Sequence, residues 1–298
     1  MLSFKEIQIS DKPWIDELLA LSDYMGCEYS FANNFAWRRL KNTKVTRWKN
    51  FYISCNYDDN GKPVFTFPAG DGDLEELIAE LAAYSATFSM PLVFATVNAE
   101  MLAILRSIYD RKIHAEPQRD SFDYIYRTDE LTALAGKKFH SKRNHITNFK
   151  KNEWGFEALT PKDFADCISF AAQSYNSAHG YDDYSSVVEQ FAINTFFEYF
   201  DELGLIGGVL RSRGGLAGFT IGERLNSNTF VIHIEKADAS IQGAYPTLFN
   251  EFVKAQAQDF LYINREEDLG IEGLRKSKMS YNPITLYEKY RVSFPASF

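Results

Sequence analysis

The feature that most constrains the fold of this chain is an order of elements that occurs twice: strands, a glycine-bearing loop, a helix, then a strand. From Arg47, the runs RWKNFYISCNY and PVFTFP flank a segment at 58–63 rich in Asp, Asn, Gly and Pro, which predicts a hairpin. After PAGDGD, the residues Leu74, Leu77, Ile78 and Leu81 recur at the spacing of one helical face, with Asp71 and Asp73 as candidate N-caps. PLVFATV then reads as a buried strand, NAEMLAILRSIYD as a helix and FDYIYRT as an alternating strand. The second half opens with helical periods in FADCISFAAQSYNSA and SSVVEQFAINTFFEYF. GLIGGVLRS, GLAGFTIGERL and NTFVIHIEKAD follow as an antiparallel meander. Gly243-Ala244-Tyr245-Pro246 opens the helix TLFNEFVKAQAQ, and FLYIN and a polar loop ending in YEKYRV close the series. The 298 residues therefore read as two α/β units rather than one large domain, with element order, not a sequence period, suggesting duplication.

Charge narrows the partners. The balance of 32 basic and 40 acidic side chains, net −8, argues against a surface that coats nucleic acid or anionic membrane throughout. Against that background Gly136 to Asn152, GKKFHSKRNHITNFKKN, carries Lys137, Lys138, Lys142, Arg143, Lys150 and Lys151 and no acid. One reading is a solvated helix face or linker. The other is a local polyanion site, with Phe139, His140, Asn144 and His145 available to stack on or bond a nucleotide. Cys27, Cys55 and Cys167 form no C-x-x-C pair, which fits a reducing cytoplasm and neither a disulfide framework nor zinc. The amino terminus lacks a signal-peptide core, and no run of about 18 apolar residues is present to span a bilayer.

Three stretches offer chemistry. Gln242, Gly243, Ala244 and Tyr245 follow a strand and open a helix, an arrangement that suits a pyrophosphate or carboxylate, although a turn with one glycine is commonly only a turn. On the preceding strand, alternation places His233 and Glu235 on one face, where either is a candidate general base. The alternative is a structural pair between them or with cations across the sheet. YINREEDLGIEGLRKSKMSYNP ends an apolar strand in a polar loop, where Asn264 is an orienting group, Tyr281 a candidate acid, and Arg265, Arg275, Lys276 and Lys278 are phosphate ligands or members of an ion-pair network. Glu266, Glu267 and Asp268 are sequence neighbours without metal-ligand spacing, so no metal is expected there. There is no G-x-x-x-x-G-K-[ST], G-x-S-x-G or H-E-x-x-H, which removes P-loop nucleotide hydrolases, ordinary serine hydrolases and zincins.

The runs VIHIEKAD, Gly243-Ala244-Tyr245-Pro246, YINREEDLGIEGLRKSKMSYNP and YEKYRV resemble a bacterial family related to the carboxy-terminal catalytic domain of phosphatidylglycerol lysyltransferases. The resemblance extends over nearly the whole chain. It implies an α/β (α+β) fold of two tandem GCN5-related N-acyltransferase-like domains with mixed sheets, as in the peptidyltransferases of peptidoglycan synthesis. It also implies transfer of an aminoacyl group from aminoacyl-tRNA, or of an acyl group from acyl-CoA, to an amine or hydroxyl. In CoA-dependent relatives the phosphate loop has Gln or Arg, two further positions, then Gly-x-Gly or Gly-x-Ala, to which Gln242, Gly243 and Ala244 are a partial match.

The expected organisation is an N-terminal acyltransferase-like domain over 1–136, a basic junction over 137–152, and a C-terminal domain over 153–298 carrying the site. The expected catalytic residues are His233 or Glu235 as base, Asn264 and Tyr281. Gln242, Gly243, Ala244 and Tyr245 would bind the donor, with Lys142 and Arg143 on its phosphates, whether a tRNA acceptor end or CoA. No tightly bound cofactor or metal is expected. The competing expectation is a non-catalytic module of the same fold that recognises an acidic or nucleotide ligand.

Overall fold

The computed structural model describes residues 2–295 apart from 41, 59 and 180–183; side chains at 111, 174–179 and 184–186 lie outside the description. The turn expected at 58–63 therefore includes one residue, Asp59, outside the described set. The chain divides into two compact units: Met1–Asp123 with Glu267–Ile271 and Leu286–Phe298, and Tyr124–Glu266 with Glu272–Thr285.

In the first unit, β1 (Lys5–Glu6), β2 (Lys44–Trp48), β3 (Phe51–Tyr57), β4 (Pro63–Thr66), β5 (Ala69–Gly70), β6 (Val93–Val97) and β7 (His114–Pro117) form one sheet. The strand Tyr290–Ser293 lies between β6 and β7, antiparallel to both, and β4–β6 is the parallel pair. The helix Leu74–Ala86 starts where its sequence says it should. Asp73 accepts the backbone N–H of Glu76, and Leu77, Ile78 and Leu81 are the buried stripe. Tyr52, Phe65 and Phe94 are fully buried, each such aromatic contributing about 1.5–3 kcal/mol by leaving water.

In the second unit, β8 (Asp123–Arg127), β9 (Trp154–Ala158), β10 (Ile206–Ser212), β11 (Gly215–Arg224), β12 (Thr229–Ala237) and β13 (Tyr262–Asn264) run in the order β8-β13-β12-β11-β10-β9. The meander β10-β11-β12 is antiparallel, as its sequence predicts. Phe149, Leu210, Ala217, Ala237, Ala244 and Leu248 form a core between the sheet and the helices His140–Phe149 and Ala244–Gln256.

The units do not follow the expected divisions after 136 and 152. β8 pairs with β13, so the second unit begins at Tyr124, and the basic stretch is a helix inside that unit. Tyr290–Ser293 completes the first sheet. Strand pairing overrides chain order, and chain order was all the sequence offered for placing boundaries.

Candidate functional site

The site is built where two parallel strands part. β12 and β13 pair at Thr229–Tyr262, Phe230–Ile263 and Val231–Asn264, after which β13 ends and β12 continues to Ala237. Asn264 turns the chain by accepting the backbone N–H of Glu266 at 2.6 Å, and Glu266 takes a positive φ of 56°. The buried Lys278 ammonium donates to the carbonyl oxygens of Arg265, at 2.6 Å, and Glu266, at 3.3 Å. This frame fixes Arg265 beside the end of β12, which is paired there with β11 but no longer with β13.

Arg265 Nη2 donates to both oxygens of Glu235, at 3.0 and 3.1 Å. The side chains are 8% and 12% exposed, so the pair lies largely out of water. The guanidinium stacks 4.1 Å over Phe249, from the helix Ala244–Gln256, and sits 5.0 Å from the ring of Tyr281. Burial opposes its charge, but Glu235 and the phenols of Tyr126 and Tyr281 outweigh that and raise its pKa. Nη1, although buried, has no hydrogen-bond partner among the described residues. Lys142, half-buried on the basic helix, places Nζ 3.8 Å over the Tyr281 ring and donates to Ser280 Oγ at 2.6 Å. Burial, then the neighbouring Arg265 charge, lowers its pKa to about 8 against the pull of Glu235. Burial raises the Tyr281 phenol, so it keeps its proton at neutral pH and acts as a donor rather than an anion.

Of the residues singled out by sequence, Glu235, Tyr281 and Lys142 come together in this cluster. The others have different surroundings. His233 is fully enclosed: Nδ1 bonds Glu266 at 2.8 Å, Nε2 bonds Glu223 at 3.1 Å, and the ring stacks on Phe196. With both nitrogens engaged by carboxylates the imidazole has no free lone pair to act as the base expected of it. Arg143 Nη1 donates to the carbonyls of Leu134 and Gly136 and closes the end of the helix Thr128–Ala133. It is a cap and not a phosphate clamp. Lys138 and Lys150 pair with Glu130 and Glu251, so two of the six cations of the basic stretch are held by acids.

The loop expected to cradle phosphate is closed on one side. Gly243 has φ 88°, and a Cβ there would stand 2.3 Å from the carbonyl oxygen of His145, so glycine is required for this loop to pack on the basic helix. The Ala244 N–H bonds Ile241 O at 3.1 Å, and Pro246, third in the helix rather than first, has no N–H. Gln242 and Tyr245 are exposed. Sequence reasoning passed over Phe249, Tyr126 and Ser280, and it named Arg265 only among several cations. The available signal for Arg265 was its place one residue beyond the end of an apolar strand.

His233 gives a pH test. Burial disfavours its charge, but Glu223 and Glu266 hold it protonated and push its pKa up to about 9. A folded pKa above the unfolded one stabilises fully below about pH 6.5 and is lost as pH rises through about 9. Urea titrations of the native chain should therefore lose up to about 3 kcal/mol across that window. The variant His233→Gln should lack this loss; the same loss in the variant would remove His233 as its cause.

Several known proteins are similar to this chain. A structure of a conserved protein of unknown function from Bacteroides thetaiotaomicron is 34% identical, covers 99% of this chain and 100% of that chain, and has a TM-score of 0.94. The structure of L-PGS from Bacillus licheniformis is 13% identical, with 100% and 95% coverage and a TM-score of 0.68, a likeness of fold. A tandem GNAT protein from the clavulanic acid biosynthesis pathway is 11% identical over 99% and 98% of the two chains, with a TM-score of 0.52. The fold is thus two GCN5-related N-acyltransferase-like domains with mixed sheets. Protein MYCGA3080 of Mycoplasmoides gallisepticum is 26% identical over 192 residues, 63% of this chain and 60% of that relative's length. The description "Phosphatidylglycerol lysyltransferase, C-terminal" matches residues 19–293, and the chain belongs to that family.

Proposed function

We propose that the protein is an aminoacyl- or acyltransferase working at the Glu235–Arg265 cluster. The observation that supports this reading most is the buried ion pair beside the length of β12 that runs on past β13, ringed by Tyr126, Tyr281, Phe249 and Lys142. The family name speaks of lysyl transfer, and direct transfer requires only alignment and charge stabilisation, without a covalent enzyme intermediate. An acceptor amine or hydroxyl attacks the donor's carbonyl carbon and a tetrahedral oxyanion forms. Arg265 Nη1 is the buried donor for that oxyanion and Glu235 accepts the proton from the nucleophile; the carbon–oxygen bond to the tRNA 3′-oxygen or the carbon–sulfur bond to CoA then breaks with its electron pair, and the leaving group takes up the proton that Glu235 received. Tyr281, protonated, supplies the leaving group's hydrogen bond. Among the described residues no helix is long and apolar enough to cross a membrane.

The test is to incubate the full chain with labelled aminoacyl-tRNAs and, separately, acyl-CoAs, alongside Glu235→Gln. The expected outcome is donor binding by both proteins and a turnover loss of about 10²–10⁴-fold in the variant. Binding of neither donor by the native chain would overturn the reading. Binding without turnover in the native chain would favour a recognition module of the same fold.

A further inference from the structure

We propose that Lys142 is itself an acyl acceptor, an internal modification site for activated acyl groups that replaces the cation at the cluster with a neutral amide. Three features of the geometry point there. Lys142 Nζ lies against the Tyr281 ring and is tethered to Ser280 Oγ, so the amine is held at the cluster instead of sweeping through solvent. No carboxylate pairs with it among the described residues, whereas Lys138 and Lys150 on the same stretch are each held by an acid. Arg265, one ring away on Tyr281, is a fixed like charge that disfavours a second ammonium.

The charged groups facing Lys142 are Arg265 and Glu235, acting in opposite senses, with the Tyr281 ring favouring the ammonium. The balance leaves roughly a tenth of the amine neutral at pH 7, against well under a hundredth for an ordinary lysine. Half-burial makes the amine reachable by a small electrophile. In the step, the Nζ lone pair attacks the carbonyl carbon of an activated ester, thioester or acyl phosphate. The C–N bond forms, and the bond from carbon to the leaving oxygen or sulfur breaks with its electron pair. The proton lost by nitrogen goes to the leaving group or to water. No oxidant or reductant is needed. The product keeps the side chain's length, loses its charge and adds an acyl group beside Arg265, so a modified protein should be a poorer transferase. That last consequence, regulation of the site, rests on the proposed function; the reactivity of Lys142 does not.

The experiment treats the full chain with acetyl phosphate near neutral pH and follows site occupancy by peptide mass spectrometry. Lys137, exposed and five residues earlier, is the internal reference. Lys142 should be acetylated at least about 10-fold faster than Lys137 in the native protein, because its amine is held in place at Ser280 and Tyr281 beside the fixed charge of Arg265, which favours its neutral form over that of an ordinary lysine. In urea the ratio should fall to about one, since the advantage comes from the folded surroundings. A native ratio near one, or a ratio that survives unfolding, overturns the proposal. Donor transfer without Lys142 reactivity sinks this inference alone; Lys142 reactivity without donor transfer sinks the transferase reading alone.

Discussion

Arg265→Met will cost the second unit about 3–5 kcal/mol in urea, more than any other single change at the cluster, because it leaves the buried Glu235 side chain without its ion-pair partner. The methionine replaces the lost packing on Phe249, so the loss reports charge and not a cavity. The double variant Arg265→Met with Glu235→Leu removes both charges and should recover most of that stability while remaining inactive. A single-variant loss below about 1 kcal/mol would mean that water reaches the pair freely, and the buried oxyanion donor assigned to Arg265 would go with it.

The second large effect lies in the first unit, at a buried lysine. Lys289, 2% exposed, is 2.8 Å from Asp123 and 2.7 Å from Glu28, and its Nζ approaches Cys27 Sγ at 3.5 Å. Cys27 Sγ in turn meets Asp123 at 3.3 Å and Glu267 at 3.1 Å. The Cys27, Asp123 and Glu267 ligand atoms fall within 4.8 Å of one another, a spacing suited to a cation, and the lysine ammonium provides one. Burial pushes the Glu28 carboxyl up, against the pull of Lys289, so the cluster already resists further negative charge. Lys289→Met should destabilise by about 3–5 kcal/mol at neutral pH. Because the stranded acids can take up protons, the deficit against the native chain should shrink as pH is lowered. A deficit that does not change with pH would point to packing, not charge, as the role of Lys289.

The sequence carried the elements well where one physical rule governed them. Asp73 and Asn98 cap the helices their spacing announced, and the meander from Ile206 to Ala237 follows from alternation and turn residues. It carried the site less well. Glu235 and Tyr281 were legible as polar groups at strand and loop ends, but the partner that defines them, Arg265, was one of many cations in a mixed loop. His233 looked like a base because strand alternation reports faces and says nothing of Glu223 and Glu266, which arrive from an adjacent strand and a turn. Gly243 looked like a phosphate glycine because local sequence cannot show that the carbonyl of His145 occupies the space. The helix Glu272–Met279 was read as loop because Leu274 and Met279 are the only large apolar side chains among its eight residues.

The strand Tyr290–Ser293 has a consequence for how this protein is made. It sits inside the first sheet, with β6 on one side and β7 on the other, so β7 has no place to dock until those residues have left the ribosome. The second sheet has its interior strands once Asn264 is synthesised and then awaits only the edge strand Thr285–Tyr287 beside β8, so its core can form earlier. Folding during translation would then run against the order of the message, with the amino-terminal residues waiting longest for their partners.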